Sequence, residues 1–130
     1  MAKILIIDDD PDFTLANKAI LEAAGHQVIT ASDGKAGLEL VQSEDPDLII
    51  LDIMMDSVYE GFSVTTTLRG TPEYMDYRDI PVLMVSAVKK MTGERFDLPA
   101  EARMAEGDAF LDKPFAADAL LSEVDRLLAG

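Results

Sequence analysis

The apolar residues of this chain fall in short blocks separated by polar ones. Ile4–Ile7, Val28–Ala31, Leu48–Leu51 and Val82–Val85 are aliphatic or β-branched throughout, and Ala109–Leu111 is a weaker fifth run. Each has strand length and no period-two alternation, which suits strands covered on both faces. Helical signals lie between them. Asp10 before Pro11 is an N-cap and first-turn pair, Phe13, Ala16 and Ile20 keep helical spacing, and Gly25 is a stop, which predicts a helix over about residues 11–24. Ser32 can cap a second helix over about 34–43, ended by Glu44-Asp45-Pro46 because a residue before proline avoids the helical region. Leu120, Val124 and Leu127 line one face of a last helix over about 116–128. Shorter helices are expected at 62–68 and 99–106, with polar stretches at 70–81 and 87–98. Strand and helix thus alternate along the whole chain. That order predicts an α/β fold: a doubly wound five-stranded parallel sheet with helices on both faces and right-handed crossovers.

Composition narrows the picture. At 130 residues and 48% hydrophobic, the chain can bury one sizeable core, so one domain over 1–130 and no output domain is the expectation. Apolar runs of about four to five residues fall far short of a bilayer span, and no signal-peptide pattern opens the chain, so a soluble, cytoplasmic protein is expected. A net charge of -14, from 25 acidic and 11 basic residues, disfavours both nucleic-acid backbones and anionic membranes as direct partners. The absence of cysteine excludes thiolate chemistry and disulfides.

Candidate chemistry follows from where the polar residues stand. Asp8 and Asp9 follow the first strand, Asp52 the third and Ser86 the fourth, while Lys113 closes the fifth. In an open parallel sheet the carboxyl ends share one edge, and ligands bind there near the switch in strand order. Three carboxylates gathered there repel one another unless a cation joins them, and an all-oxygen donor set selects a hard ion such as magnesium over zinc or copper. Asp52 stands alone after its strand and is the candidate nucleophile toward phosphorus, with Lys113 and Ser86 placed to meet phosphoryl oxygens.

With these residues in place, the chain resembles the receiver domains of two-component response regulators, of the single-domain chemotaxis-regulator type. The resemblance is carried by Lys3-Ile-Leu-Ile-Ile-Asp-Asp-Asp10, Asp47-Leu-Ile-Ile-Leu-Asp-Ile-Met-Met55, Pro81-Val-Leu-Met-Val-Ser-Ala87 and Asp112-Lys-Pro-Phe115. It implies a flavodoxin-like sheet of order 2-1-3-4-5. It also implies Asp52 as acceptor of a phosphoryl group from the phosphohistidine of a sensor histidine kinase. Magnesium would be held by Asp9, Asp52 and the Met54 carbonyl, with Asp8 acting partly through water. Ser86 and Lys113 would contact the phosphoryl group, Phe110 would be an aromatic switch, and the Lys113-Pro114 bond would be cis.

Some positions depart from the family's usual pattern. Asp56 stands where receivers usually carry proline, and the loop Asp56–Gly61 is one residue longer than usual. Met54 and Val88, the positions that govern water's access to the acyl phosphate in the family, are both apolar here, which predicts slow intrinsic dephosphorylation. Signalling is expected through protein contacts, either with a downstream target docked on the face of the fourth helix, fifth strand and fifth helix, or with a phosphotransfer histidine. The expected state is a monomer or a weak phosphorylation-dependent dimer, with no turnover of an external substrate.

Two other readings use the same residues. Asp10-Pro-Asp-Phe-Thr14 fits the D-x-D-x-T pattern of haloacid-dehalogenase-like aspartyl phosphatases, although that nucleophile should directly follow its strand, whereas Asp10 lies where a helix begins. A receiver acting as a phosphorylation-independent scaffold is the other, against which the complete set Asp8, Asp9, Asp52, Ser86 and Lys113 weighs. His26 reads as an exposed loop residue, and Tyr74 and Tyr77 as loop packing.

Overall fold

Each of the five apolar runs folds as a strand, and all pair in parallel in the order β2-β1-β3-β4-β5. The computed structural model describes residues 2–52, 64, 67–68, 70–77, 79–86, 109–112 and 116–129, with 86, 109, 110 and 112 described by their backbone alone. Its elements are β1 (Lys3–Ile7), α1 (Pro11–Ala23), β2 (Gln27–Ala31), α2 (Gly34–Glu44), β3 (Leu48–Asp52), a 3-10 segment (Pro72–Tyr77), β4 (Val82–Ser86), β5 (Ala109–Asp112) and α3 (Ala117–Ala129). The expected helix at 62–68 is helical at the described residues 64, 67 and 68, and the one at 99–106 lies outside the described residues.

Because successive strand residues face opposite sides of the sheet, each uniform apolar run supplies two cores. Leu5, Ile7, Ile49, Leu51, Val82 and Met84 pack on the side that holds Val41 of α2, Val64 and Leu68. Ile4, Ile6, Leu48, Ile50, Leu83 and Val85 pack on the other, with Leu21 of α1 and Leu120 and Val124 of α3. A doubly wound sheet is the outcome. The central strand β3 is buried at every position.

Local chemistry sets the helix ends. The Asp10 carboxylate accepts from the amides of Asp12 and Phe13 at 3.0 and 3.3 Å, and Pro11 opens α1. The helix stops at a Schellman motif: His26 N–H donates to the Leu21 carbonyl, Gly25 N–H to that of Glu22, and Gly25 takes φ of 98°, open to glycine at little cost. At α2 the expectation is corrected by one residue. Asp33, not Ser32, is the cap: it is extended, and its carboxylate accepts from Ala36 N–H, three residues on, at 2.8 Å. Asp45 closes α2 in the left-handed region (φ 49°), which a short acidic side chain tolerates better than most.

Three residues expected in loops are tied to the fold. His26 is half-buried, and its Nδ1 accepts from the Ala2 amide at 3.2 Å. Tyr74 and Tyr77 meet edge to face, 6.5 Å between centroids, and pack under α2 against the Val41 core. The Tyr77 hydroxyl donates to the Gln42 carbonyl at 3.4 Å. Burial, with Glu73 and Glu39 nearby, pushes the Tyr74 phenol up from its ordinary value. Among the described residues, no helix is long and apolar enough to cross a membrane.

Candidate metal and phosphoryl site

The pleat that sorts the core also gathers the acids. Ile7 pairs with Ala31 on one side and Leu51 on the other, so the residues after Ile7 and Leu51, Asp8 and Asp52, occupy neighbouring positions at the carboxyl edge. Both continue the alternation that sends Ile6 and Ile50 to the α1 and α3 side. Asp8 and Asp52 are buried, at 3% and 4% exposure, while Asp9 is open to solvent. One carboxylate oxygen from each of Asp8, Asp9 and Asp52 lies within 4.8 Å of the others.

Backbone contacts hold this cluster. The Asp8 amide donates to the Ala31 carbonyl at 3.0 Å, which extends the β1–β2 pairing one residue past the strand. The Asp8 carboxylate accepts from the Asp10 amide at 2.8 Å, an Asx turn that bends the chain into α1. The Asp-Asp-Asp-Pro run carries a signal for that turn.

Three carboxylates with two of them buried, and no histidine or cysteine in the cluster, form a donor set suited to a hard divalent cation. Repulsion among them falls when a cation binds, whereas a site for soft metals would need nitrogen or sulfur. The trio fits magnesium on those grounds.

The other expected participants fall in two groups. Asp52 is the last residue of β3 and Ser86 the last of β4, each inside its strand rather than just beyond it, and Asp52 pairs in register with Val85. Ser86 in turn pairs with Asp112, and Phe110 with Met84. The backbone therefore brings residues 52 and 86 to adjacent strand ends, with β5 ending at Asp112, one residue before Lys113. Lys113, Pro114, Met54, Val88 and the loop Asp56–Gly61 lie outside the described residues, as do the side chains of Ser86 and Phe110.

Asp10, the residue on which the phosphatase reading depends, is exposed, and its carboxylate caps α1. Asp10→Ala is expected to cost about 1 kcal/mol of stability through the lost cap. It should leave any phosphoryl uptake intact; loss of uptake in a variant still folded by circular dichroism would revive the phosphatase reading.

Comparison with known proteins agrees with this geometry. The family profile described as "Response regulator receiver domain" matches residues 4–125. The chain is similar to PilH of Pseudomonas aeruginosa, at 35% identity over 130 residues and the full length of both proteins. It is also similar to the DNA-binding dual master transcriptional regulator RpaA of Synechocystis, at 39% identity over 98% of this chain, where it spans only 49% of that protein. Several other curated relatives are likewise matched over about half their length, for example the response regulator MprA of Mycobacterium tuberculosis at 50%. Among solved structures, the receiver domain of the Francisella response regulator 1452 superposes with a TM-score of 0.78 at 29% identity, covering 99% of this chain and 98% of that one.

Proposed function

The chain belongs to the response regulator receiver domain family, and from that premise we propose that it is a single phosphoacceptor domain of a two-component system, with Asp52 as the acceptor. The observation that carries the reading is the convergence of the Asp8, Asp9 and Asp52 carboxylates at one sheet edge, with Asp52 ending the fully buried central strand. A buried strand end holds the nucleophile in one orientation, so little freedom remains to be lost when it attacks.

In the proposed reaction a carboxylate oxygen of Asp52 forms a bond to phosphorus while the P–N bond of a donor phosphohistidine breaks. The electron pair of that bond stays on the imidazole nitrogen, and the product is an acyl phosphate. Asp8, Asp9 and Asp52, with the Met54 carbonyl that the family pattern adds, would hold magnesium, which when bound supplies positive charge against the carboxylates and the phosphoryl oxygens. Ser86 and Lys113 are read as partners of those oxygens, and Phe110 as the aromatic that answers them. The partners are a phosphodonor such as a sensor kinase, and a downstream protein target or phosphotransfer protein. No external substrate is turned over.

The test is direct. Wild-type protein given a small phosphoramidate or acyl phosphate donor with magnesium is expected to gain the mass of one phosphoryl group, and to gain none with a chelator or as Asp52→Asn. Uptake that persists in Asp52→Asn, or its absence in wild type, would overturn the assignment.

A further inference from the structure

Gly37 stands in the first turns of α2, and its amide donates to the Asp33 carbonyl at 3.0 Å. Glycine inside a helix is about 1 kcal/mol worse than alanine, so its presence there asks for a packing reason. The reason is Ile7. A methyl group added at Gly37 would stand 2.7 Å from Ile7 Cγ1 and 3.3 Å from Cγ2, and closer still to Cδ1. Contacts under about 3 Å between carbons lie inside the distance of optimal separation and are repulsive.

Ile7 has little room to yield. It is fully buried, and its neighbours in the sheet, Ala31 and Leu51, belong to the same core cluster under α2. The helix is held at its far end, where the Lys3 ammonium donates to the Glu44 carbonyl at 3.1 Å and Tyr77 donates to the Gln42 carbonyl. Ile7 is the last residue of β1, and Asp8 and Asp9 follow it directly. A push on Ile7 is therefore passed along the chain to Asp8, whose amide donates to the Ala31 carbonyl and whose carboxylate accepts from the Asp10 amide.

We propose that Gly37 is a positioning residue for the carboxylate trio: its missing side chain lets α2 press on Ile7 and so sets where Asp8 and Asp9 stand beside Asp52. This rests on reading the trio as a magnesium site. Gly37 touches neither metal nor phosphoryl group in this account.

The test compares wild type, Gly37→Ala, and Gly37→Ala with Ile7→Ala, the latter removing Cγ1, Cγ2 and Cδ1, the three carbons that the added methyl would meet. Magnesium affinity is measured by calorimetry and amide chemical shifts are recorded on the metal-free protein. Because the link runs through one residue, Gly37→Ala should weaken magnesium binding about threefold to tenfold, at or below the usual range for groups that orient metal ligands. The amides of residues 8 and 9 should shift before any metal is added. The double variant should return both readouts to within about twofold of wild type.

A purely structural glycine would lower the melting temperature and leave the affinity and those amides unchanged, and that result overturns the proposal. If Gly37→Ala does not fold, Ile7→Leu in the Gly37 background changes the shape of the same seat. Weakened magnesium binding there supports the proposal and unchanged binding overturns it. Failure of wild type itself to bind magnesium would strike the metal reading instead, and the two failures are thereby told apart.

Discussion

Asp8→Asn is expected to make the metal-free protein more stable and the magnesium-loaded protein less stable than wild type. The Asp8 and Asp52 carboxylates are both buried and have oxygens within 4.8 Å. Two unit charges at that separation repel by about 1 kcal/mol in bulk water and about 3 kcal/mol at the effective dielectric of about 20 that suits protein sites. Asparagine removes one charge and keeps an oxygen to accept from the Asp10 amide, so the turn into α1 survives. With solvent screening and the exposed Asp9 still present, a gain of about 1 kcal/mol in chelator is the expected size.

Magnesium reverses the ranking. A ligand at about 100 times its dissociation constant stabilises the native state by about 2.7 kcal/mol, and a variant lacking one carboxylate should lose most of that. Urea unfolding in chelator and in saturating magnesium measures both. If wild type and Asp8→Asn keep the same order in both buffers, the trio is not a site whose internal repulsion is relieved by the cation.

The second large effect is expected at Ile50. It is 1% exposed in the middle of β3 and packs with Ile4, Ile6, Leu83, Val85 and Leu120. Truncation to alanine loses the transfer free energy of the removed carbons and leaves a cavity that flanking strands on both sides cannot collapse into. A loss of about 3–5 kcal/mol follows, against a total stability for such domains of about 5–15 kcal/mol. Since Ile50 lies two residues before Asp52 on the same strand, phosphoryl uptake should fall with the folded fraction. Leu15→Ala, at a position 69% exposed, serves as the control and should stay within about 0.5 kcal/mol of wild type. An Ile50→Ala protein as resistant to urea as that control would mean the sheet's second core is looser than its burial indicates.

The strands could be read from the sequence because every residue from Ile4 to Ile7 and from Leu48 to Leu51 is apolar, and only two-sided burial makes that pattern. The same uniformity hides which side each residue takes until neighbouring strands set the register. Asp10 was legible as a cap because Pro11, which favours the first position of a helix, follows it directly. Ser32 and Asp33 are adjacent and both good caps, so only the backbone course, extended at Asp33, could choose between them.

The acids Asp8, Asp9 and Asp52 were legible as a site from position alone, since a parallel sheet carries its strand ends to one edge. How they are held was not. The bond from Asp8 to Ala31 depends on the β1–β2 register, and Gly37 declares only that a helix tolerates a gap, without naming Ile7 as its occupant. His26 and the tyrosines Tyr74 and Tyr77 were read from their polar surroundings in sequence. Their partners, Ala2 and Gln42, are 24 and 35 residues away, beyond the reach of any local pattern.

The order β2-β1-β3-β4-β5 also bears on how the protein is made. Asp8, Asp9 and Asp52 lie in the first 52 residues, on or beside β1 and β3, which are neighbours in the sheet. During synthesis the whole trio leaves the ribosome before β4, which covers the far edge of β3, and before α3, which closes the second core. The acidic edge is therefore translated before the elements that enclose it, so phosphoryl uptake on a growing chain would report the moment at which the later strands lock β3 in place.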